Sequence, residues 1–277
     1  FVDSLIERAT RMLMLLAVVP FLFFVLPVLV RIVWWCRRNQ WQFWDGQDCG
    51  ATGLLPDASS NTGAAIYVLS ARTSGLKGAL ARHSWIVIRK PGERSYDRYD
   101  KMGWGEVIWK NGFPADGLWF SNPPLIEHAV EGAVAARLIP AVEAAIASYP
   151  YAEQGNYCAW PGPNSNSFIA HILRAAPELG RLPITAIGRD FHPRSIAGWH
   201  SAHRCFEVNV RGLVGVAISW SLLEVRLLGL VGGIDLDRRA ILVPAVGAIP
   251  LASPRLSSPK LLARRAEPLD YFDSEAA

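Results

Sequence analysis

Cysteine is scarce in this chain and shows no ordered spacing. The 277 residues contain four cysteines, Cys36, Cys49, Cys158 and Cys205, and no CxxC pair. Disulfide scaffolds and zinc ribbons depend on dense or regularly spaced cysteines, so both classes are excluded. The cysteine pattern does not distinguish an oxidising from a reducing compartment.

Blocks of like charge are also lacking. The formal net charge is +4, and the cationic residues are spread along the chain. A nucleic-acid-binding domain normally carries a clustered basic patch, so no nucleic-acid partner is predicted. Hydrophobic residues make up 51% of the chain, which suffices for one large folded domain with appendages.

One long apolar run stands near the amino terminus, from Met12 to Val30. Its length is that of a bilayer span, and membrane helices tolerate the two prolines within it. Arginines flank the run on both sides, and tryptophans that could form an aromatic belt follow it: Trp34, Trp35, Trp41 and Trp44. Residues 1–44 are therefore predicted to be a membrane anchor, with residues 12–30 in the lipid bilayer.

Two alternatives to an anchor fit the sequence less well. A buried core helix fits poorly with the run length and the flanks, and a cleaved signal peptide lacks a small-residue cleavage site after the run. Two arginines precede the run and three follow it, so the positive-inside rule hardly fixes the orientation. We expect a single-pass protein of the bacterial inner membrane with its globular domain in the periplasm.

The remaining chain divides into a linker (45–63), a folded domain (64–252) and a disordered tail (253–277). In the first half of the domain, β-prone runs favour a meandering antiparallel sheet with strands near 65–70, 84–89, 96–99, 106–109 and 118–120. From about Leu125 to Ser148 the period changes to helical. The fold class is α+β.

The second half of the domain reads as an irregular loop (182–204) followed by β-like segments from Phe206 to Ile249. Residues 212–234 are apolar enough to suggest a second membrane span as an alternative. Glu224 and Arg226 lie in the middle of that segment and would be costly in lipid, so strands are preferred.

A polar cluster lies at the predicted start of a helix between Trp160 and Leu173. A Pro/Gly turn leads into Asn164-Ser-Asn-Ser167, and apolar residues then recur at helical spacing. Backbone N–H groups and the positive end of the helix dipole converge at such a start. The cluster is therefore either a helix cap or the place of a reactive group.

If the cluster holds a reactive group, a histidine on an upstream strand is a candidate for its base. A base facing a nucleophile at a helix N-terminus can accept its proton, while the helix dipole stabilises the developing charge. On this hypothesis Ser165 is the nucleophile, His83 is the base, and Asp97 or Tyr99 on a neighbouring strand orients the imidazole.

The order of these motifs resembles a known fold. His-Ser-Trp-Ile-Val-Ile at 83–88, Tyr-Pro-Tyr at 149–151 and Asn-Ser-Asn-Ser-Phe at 164–168 are similar to the circularly permuted papain-like group of NlpC-type peptidases and lecithin retinol acyltransferase-like proteins. The resemblance implies an antiparallel sheet with two or three helices, here with a β-rich C-terminal extension. Ser165 falls on the position of the family's catalytic cysteine, and His83 on that of its histidine.

Residues from about 64 to 249 more closely resemble an uncharacterised bacterial family of membrane-anchored proteins, domain of unknown function 3750. The serine in place of cysteine is the main departure from the papain-like pattern, because a hydroxyl ionises far less readily than a thiol.

Two functions follow from this comparison. The first is a non-catalytic envelope protein that binds a peptide or lipid in a papain-like cleft. The alternative is a Ser-His hydrolase or acyltransferase acting on envelope peptide, amide or ester bonds. The helix-start residues Asn164 and Asn166 are then candidates to stabilise an oxyanion, and Trp160 and His171 to line the cleft. His192, His200, His203 and Cys205 could suggest a metal site, but no carboxylate or second regular pair accompanies them; neither metal nor cofactor is predicted.

Overall fold

The computed structural model describes residues 2–38, 47–60, 62–200 and 204–251. Its elements are an N-terminal helix, a five-stranded sheet covered by two helices, and a seven-stranded sheet. The predicted tail (253–277), the belt residues Trp41 and Trp44, and His203 lie outside the described residues.

The N-terminal apolar run is one continuous helix, α1 (Val2–Arg37), with Pro20 and Pro27 inside it. The segment Val18–Arg37 is long and apolar enough to cross a membrane, with a mean hydropathy of 2.2. Only 11% of that window is buried, whereas a core helix would be mostly covered. The prediction of an apolar N-terminal helix is confirmed.

The first sheet is antiparallel, with the order β4-β3-β2-β1-β5. Its strands are β1 (Ala65–Arg72), β2 (Arg82–Arg89), β3 (Asp97–Lys101), β4 (Ile108–Lys110) and β5 (Leu125–Glu131). The predicted strand at 118–120 is replaced by isolated bridges, Ala51 with Gly117 and Trp119 with Asn122.

The prediction that a helix begins near Leu125 is wrong. Leu125–Glu131 pairs with β1 as an edge strand, and α2 (Gly132–Ala147) starts only after it. Gly132 adopts a φ of 68°, a left-handed conformation that glycine accepts without strain, and this turns the chain from strand to helix.

Helix α2 and helix α3 (Ser165–Ala175) cover one face of this sheet. Alternate residues of β1 and β2, among them Val68 and Ile86, meet Val142 of α2 and Phe168 of α3 in the main hydrophobic core. Trp85 and Trp119 belong to a second core on the opposite face, which Leu55 from the predicted linker helps to cover.

The second sheet is an antiparallel meander in the order β12-β11-β10-β9-β8-β7-β6. Its strands are β6 (Ile196–His200), β7 (Cys205–Val210), β8 (Val214–Ile218), β9 (Leu222–Leu227), β10 (Leu230–Asp235), β11 (Ala240–Val243) and β12 (Gly247–Pro250). The predicted β-rich extension is thus confirmed. Part of the expected loop at 182–204 is β6, and residues 212–234 are strands rather than a membrane helix.

Strand β9 has an inverted polarity. Leu222, Glu224 and Arg226 are buried toward the rest of the protein, whereas the intervening Leu223 and Val225 are exposed. An antiparallel sheet on a soluble core normally shows the opposite arrangement, with apolar residues inward.

Buried ion pairs hold the inner face of this sheet to the segment that follows α3. Arg189 lies 2.9 Å from Glu224, and Arg226 contacts Glu224 at 3.2 Å and Glu207 at 2.6 Å. Asp190 completes the group, 3.1 Å from Arg189. Burial alone would raise the pKa of Glu224, yet the charges of the surrounding arginines lower it to about 2.

Candidate functional site

The polar cluster at the start of α3 forms a complete capping box. The Asn164 side chain accepts hydrogen bonds from the backbone N–H groups of Asn166 (2.9 Å) and Ser167 (3.1 Å). The Ser167 hydroxyl in turn accepts from the Asn164 N–H at 2.7 Å. This reciprocal arrangement satisfies donors that a helix N-terminus otherwise leaves free.

The two asparagine amides also join separate parts of the domain. Asn166 donates through Nδ2 to the carbonyls of Arg82 in β2 and Ile187, both at 2.8 Å. Asn164 donates through Nδ2 to Ala159 (3.0 Å) and Ile187 (3.1 Å). The cluster therefore fixes the helix start, the preceding loop and the 185–188 segment relative to each other.

Ser165 occupies the first turn of α3 but lacks the surroundings of an activated nucleophile. It is only 4% exposed, and its hydroxyl has no hydrogen-bond partner among the residues that the structure describes. The N–H groups of Asn166 and Ser167, which could have stabilised an oxyanion, are already taken by Asn164.

His83 lies on the face of the first sheet opposite to α3. It pairs with Ala71, in the same alternation as Trp85 with Leu69, whereas Ser84 falls on the α3 side. Its ring stacks on Trp119 with centroids 3.7 Å apart. The structure therefore does not bring the predicted base to Ser165.

The hydrogen-bond partner of His83 is Asp100, at 2.8 Å from Nε2. Arg98 holds Asp100 in turn, at 2.7 and 3.0 Å. Burial lowers the pKa of His83 against the opposing effect of Asp100, so the ring is neutral at pH 7. Burial would raise the pKa of Asp100, but the Arg98 charge keeps it below its ordinary value, so this carboxylate is ionised.

Asp97 and Tyr99, the predicted orienting residues, do not contact His83. They alternate with Arg98 and Asp100 along β3, so they lie on the α3 side of the sheet. The Asp97 carboxylate instead binds Lys110 at 2.9 Å. Sequence reasoning missed Asp100 because the register of β2 and β3 decides which side of β3 meets the histidine.

A second residue that sequence reasoning missed is Lys101, which is fully buried at the end of β3. Its ammonium group donates to the carbonyl of Tyr151 at 2.7 Å and lies 5.4 Å from the Tyr149 ring centroid. No carboxylate pairs with it among the described residues, and burial lowers its pKa to about 8. The sequence Arg98-Tyr-Asp-Lys101 does not indicate that the lysine is buried.

Trp160 and His171 have different environments. The Trp160 indole donates to the carbonyl of Leu228 at 2.9 Å and so contacts a turn of the second sheet. His171 lies on α3, where its ring meets that of Tyr149 edge to face. Burial, and next the charge of Arg174, lower the pKa of His171, so its ring is neutral at pH 7.

His171 lines a cleft of about 500 Å³ between α3, the segment 180–193 and strand β7, which we call the α3 cleft. This volume is in the range of small-molecule sites. Arg174 is exposed, lines this cleft and makes no hydrogen bond or ion pair with the described residues. The charges of Asp190 and Glu207, which line the same cleft, nevertheless act on its guanidinium. The polar and aromatic walls include Tyr149, Tyr151, Ser167, Phe191, His192 and Asn209.

The described part of the chain contains no group of three or more His, Cys, Asp or Glu residues that could hold a metal ion. Cys205, one of the four His and Cys residues of the possible metal site, is buried in the second sheet as a free thiol.

A model of a protein family matches part of the chain. Residues 63–191 match the model of a family described as a protein of unknown function (DUF3750). That segment contains the first sheet, α2, α3 and the Arg189–Asp190 end of the ion-pair group, so the chain is similar to this family over those elements. Neither curated proteins nor solved structures give a match.

Proposed function

We propose that this chain is a membrane-anchored binding protein whose ligand occupies the α3 cleft. The observation that carries the proposal is that the Arg174 guanidinium, which makes no hydrogen bond or ion pair with the described residues, lines the same cleft as the aromatic rings of Tyr149, Tyr151 and Phe191. A guanidinium recognises phosphate and carboxylate groups, and aromatic walls take an apolar moiety. The expected ligand is an amphiphile, a lipid or a peptide, that carries such an anionic group.

A binding role fits the start of α3 better than catalysis does. Ser165 is buried, the adjacent N–H groups are used by the Asn164 cap, and His83 points to the other face of the sheet. The polar cluster thus acts as the rigid frame of the cleft. On this proposal the papain-like resemblance reflects shared architecture in which serine has replaced the nucleophilic cysteine.

The anchor is part of the proposal. Trp35 of α1 is buried against the segment Leu76–Ala79, and its indole donates to the Gly75 carbonyl at 3.1 Å. A helix that packs into the folded domain supports retention as an anchor rather than removal as a signal peptide. We place it in a bacterial inner membrane with the domain in the periplasm. An alkaline phosphatase fused at the C-terminus is expected to be active; an inactive fusion beside a fluorescent cytoplasmic reporter would reverse this orientation.

The binding test uses hexyl phosphate as the probe, with hexanol and inorganic phosphate as comparisons. Titration calorimetry on the full chain in nanodiscs, corrected for empty nanodiscs, should give the tightest binding for hexyl phosphate. Because a hydrogen bond to a charged group contributes about 1.5–3 kcal/mol, Arg174→Gln should weaken binding about tenfold to a hundredfold. Arg137→Gln, at an exposed arginine of α2, serves as the control. Equal binding by all three proteins would refute the site.

Catalysis is the second candidate, and the unpartnered Ser165 hydroxyl favours it. A serine-reactive fluorophosphonate should label neither the wild type nor Ser165→Ala if the protein only binds. Labelling of the wild type that Ser165→Ala abolishes would establish a nucleophile and replace the binding proposal with a hydrolase or acyltransferase.

A further inference from the structure

The outer face of the seven-stranded sheet is apolar across its central strands. Register places Phe206 opposite Ile218, Val214 opposite Leu227, and Ile218 opposite Leu223, so these side chains form one surface. All of them are exposed, at 40–50% of their full area. A contiguous apolar surface of this kind marks an interaction site.

The orientation of the sheet is fixed from inside. The same strands direct Glu207, Glu224 and Arg226 into the buried ion-pair group, where Arg189 and Asp190 meet them. If the sheet turned over so that its apolar side chains faced the core, those ion pairs would be broken. The apolar face is therefore held outward.

Helix α1 lies on this same face. Gly232 is opposite Val225, and the position of a Cβ on Gly232 would be 2.4 Å from Cε1 of Phe23. Phe23 belongs to the segment Val18–Arg37, which is apolar enough to cross a membrane. The glycine lets the ring approach the sheet backbone closely. The helix contacts β10 and β11 and leaves the outer face of β7–β9 uncovered beside it.

We propose that the uncovered outer face of β7–β9 inserts into the lipid bilayer next to α1. This rests on the membrane-embedded α1 of the proposed function, because a sheet surface that contacts the span at Phe23 shares its surroundings. Each of the three strands is paired on both sides, so their backbone polar groups are satisfied and apolar side chains alone meet the lipid.

The turns at the ends of these strands fit the membrane interface. Trp220, between β8 and β9, is fully exposed, and Arg211, between β7 and β8, is exposed as well. Tryptophan and arginine are characteristic of the headgroup region, where the ring meets the interface and the guanidinium meets phosphate.

The test is photolabelling of the full chain in nanodiscs that contain a diazirine-bearing phosphatidylcholine, with the adducts mapped by mass spectrometry. We expect adducts on α1 and on outer-face residues such as Val214 and Val225, and none on Val134, an exposed residue of α2. Adducts on α1 alone would overturn the insertion of the sheet and leave the anchor intact. Absence of adducts on both α1 and the sheet would overturn the membrane anchor as well as the insertion of the sheet.

A paired variant sharpens the result. Leu223→Lys with Val225→Lys should reduce labelling of the sheet about tenfold, because lysine is unfavourable among lipid chains, whereas Val134→Lys should leave it unchanged. The wild-type map stands whether or not the double variant folds. Native mass spectrometry that finds a dimer with an unlabelled sheet would show that a second copy covers the face, which contradicts the proposal.

Discussion

The buried ion pairs make a quantitative prediction for Arg226→Met. Arg226 is fully buried and contacts Glu224 and Glu207. Among the described residues, the substitution leaves Glu207 with only the Asn209 amide, at 3.2 Å, as a hydrogen-bond partner. Removal of one partner from a buried pair generally lowers the free energy of unfolding by about 3–5 kcal/mol. We expect a loss of that size.

The pKa of Glu224 reports on the same ion-pair group. Burial would raise this pKa above its ordinary 4.5, but the charges of Arg189, Arg181 and Arg226 lower it to about 2, so the ionised carboxylate stabilises the folded protein. Because the folded-state pKa is depressed, this contribution is present above pH 4.5 and is lost as the pH falls from about 4.5 toward 2. Wild-type stability should fall in that window, and Glu224→Gln should show a shallower decline.

Urea denaturation of the full chain in detergent, followed by tryptophan fluorescence, measures these free energies. Arg238→Met is the matched control, because the Arg238 side chain is half exposed and lies 3.7 Å from Asp235, so its loss should change stability by less than about 1 kcal/mol. In the double variant Arg226→Met with Glu207→Gln, part of the loss should be recovered. Equal stabilities of Arg226→Met and Arg238→Met would refute the role assigned to the ion pairs.

Three further predictions concern single sites. Burial lowers the pKa of Lys101 to about 8, so wild-type stability should rise between about pH 8 and 10.5, where the unfolded chain binds more protons, and Lys101→Met should lack this rise in denaturation series. Gly232→Ala should destabilise by about 1–3 kcal/mol, and Phe23→Ala should remove most of that loss in a double-mutant cycle. Asn164→Ala should lower thermal stability by about 1–3 kcal/mol through the orphaned N–H groups, whereas Asn156→Ala in a loop should be near neutral.

The sequence predicted features that depend on local pattern. Helix α1 follows from an apolar run, α3 from a polar cap before a 3.6-residue period, and most strands from alternation. The edge strand β5 is not predictable from the pattern, because Leu125–Val130 leads directly into a helical segment. Only the backbone conformation of Gly132 separates the strand from the helix.

Features that depend on register or on distant pairing were not predictable in this way. Which of the β3 side chains meets His83 depends on a one-residue alternation set by the β2–β3 connection. Similarly, the charges of Glu224 and Arg226 correctly argue against a membrane span. Their partners, Arg189 and Glu207, could not be predicted because they come from separate parts of the chain.

The most direct test of the binding proposal is a crystal structure of the full chain with 6-bromohexyl phosphate. The account predicts phosphate density within hydrogen-bond distance of the Arg174 guanidinium, and a bromine anomalous peak among the rings of Tyr149, Tyr151 and Phe191. An empty α3 cleft with the bromine peak elsewhere on the protein would contradict it.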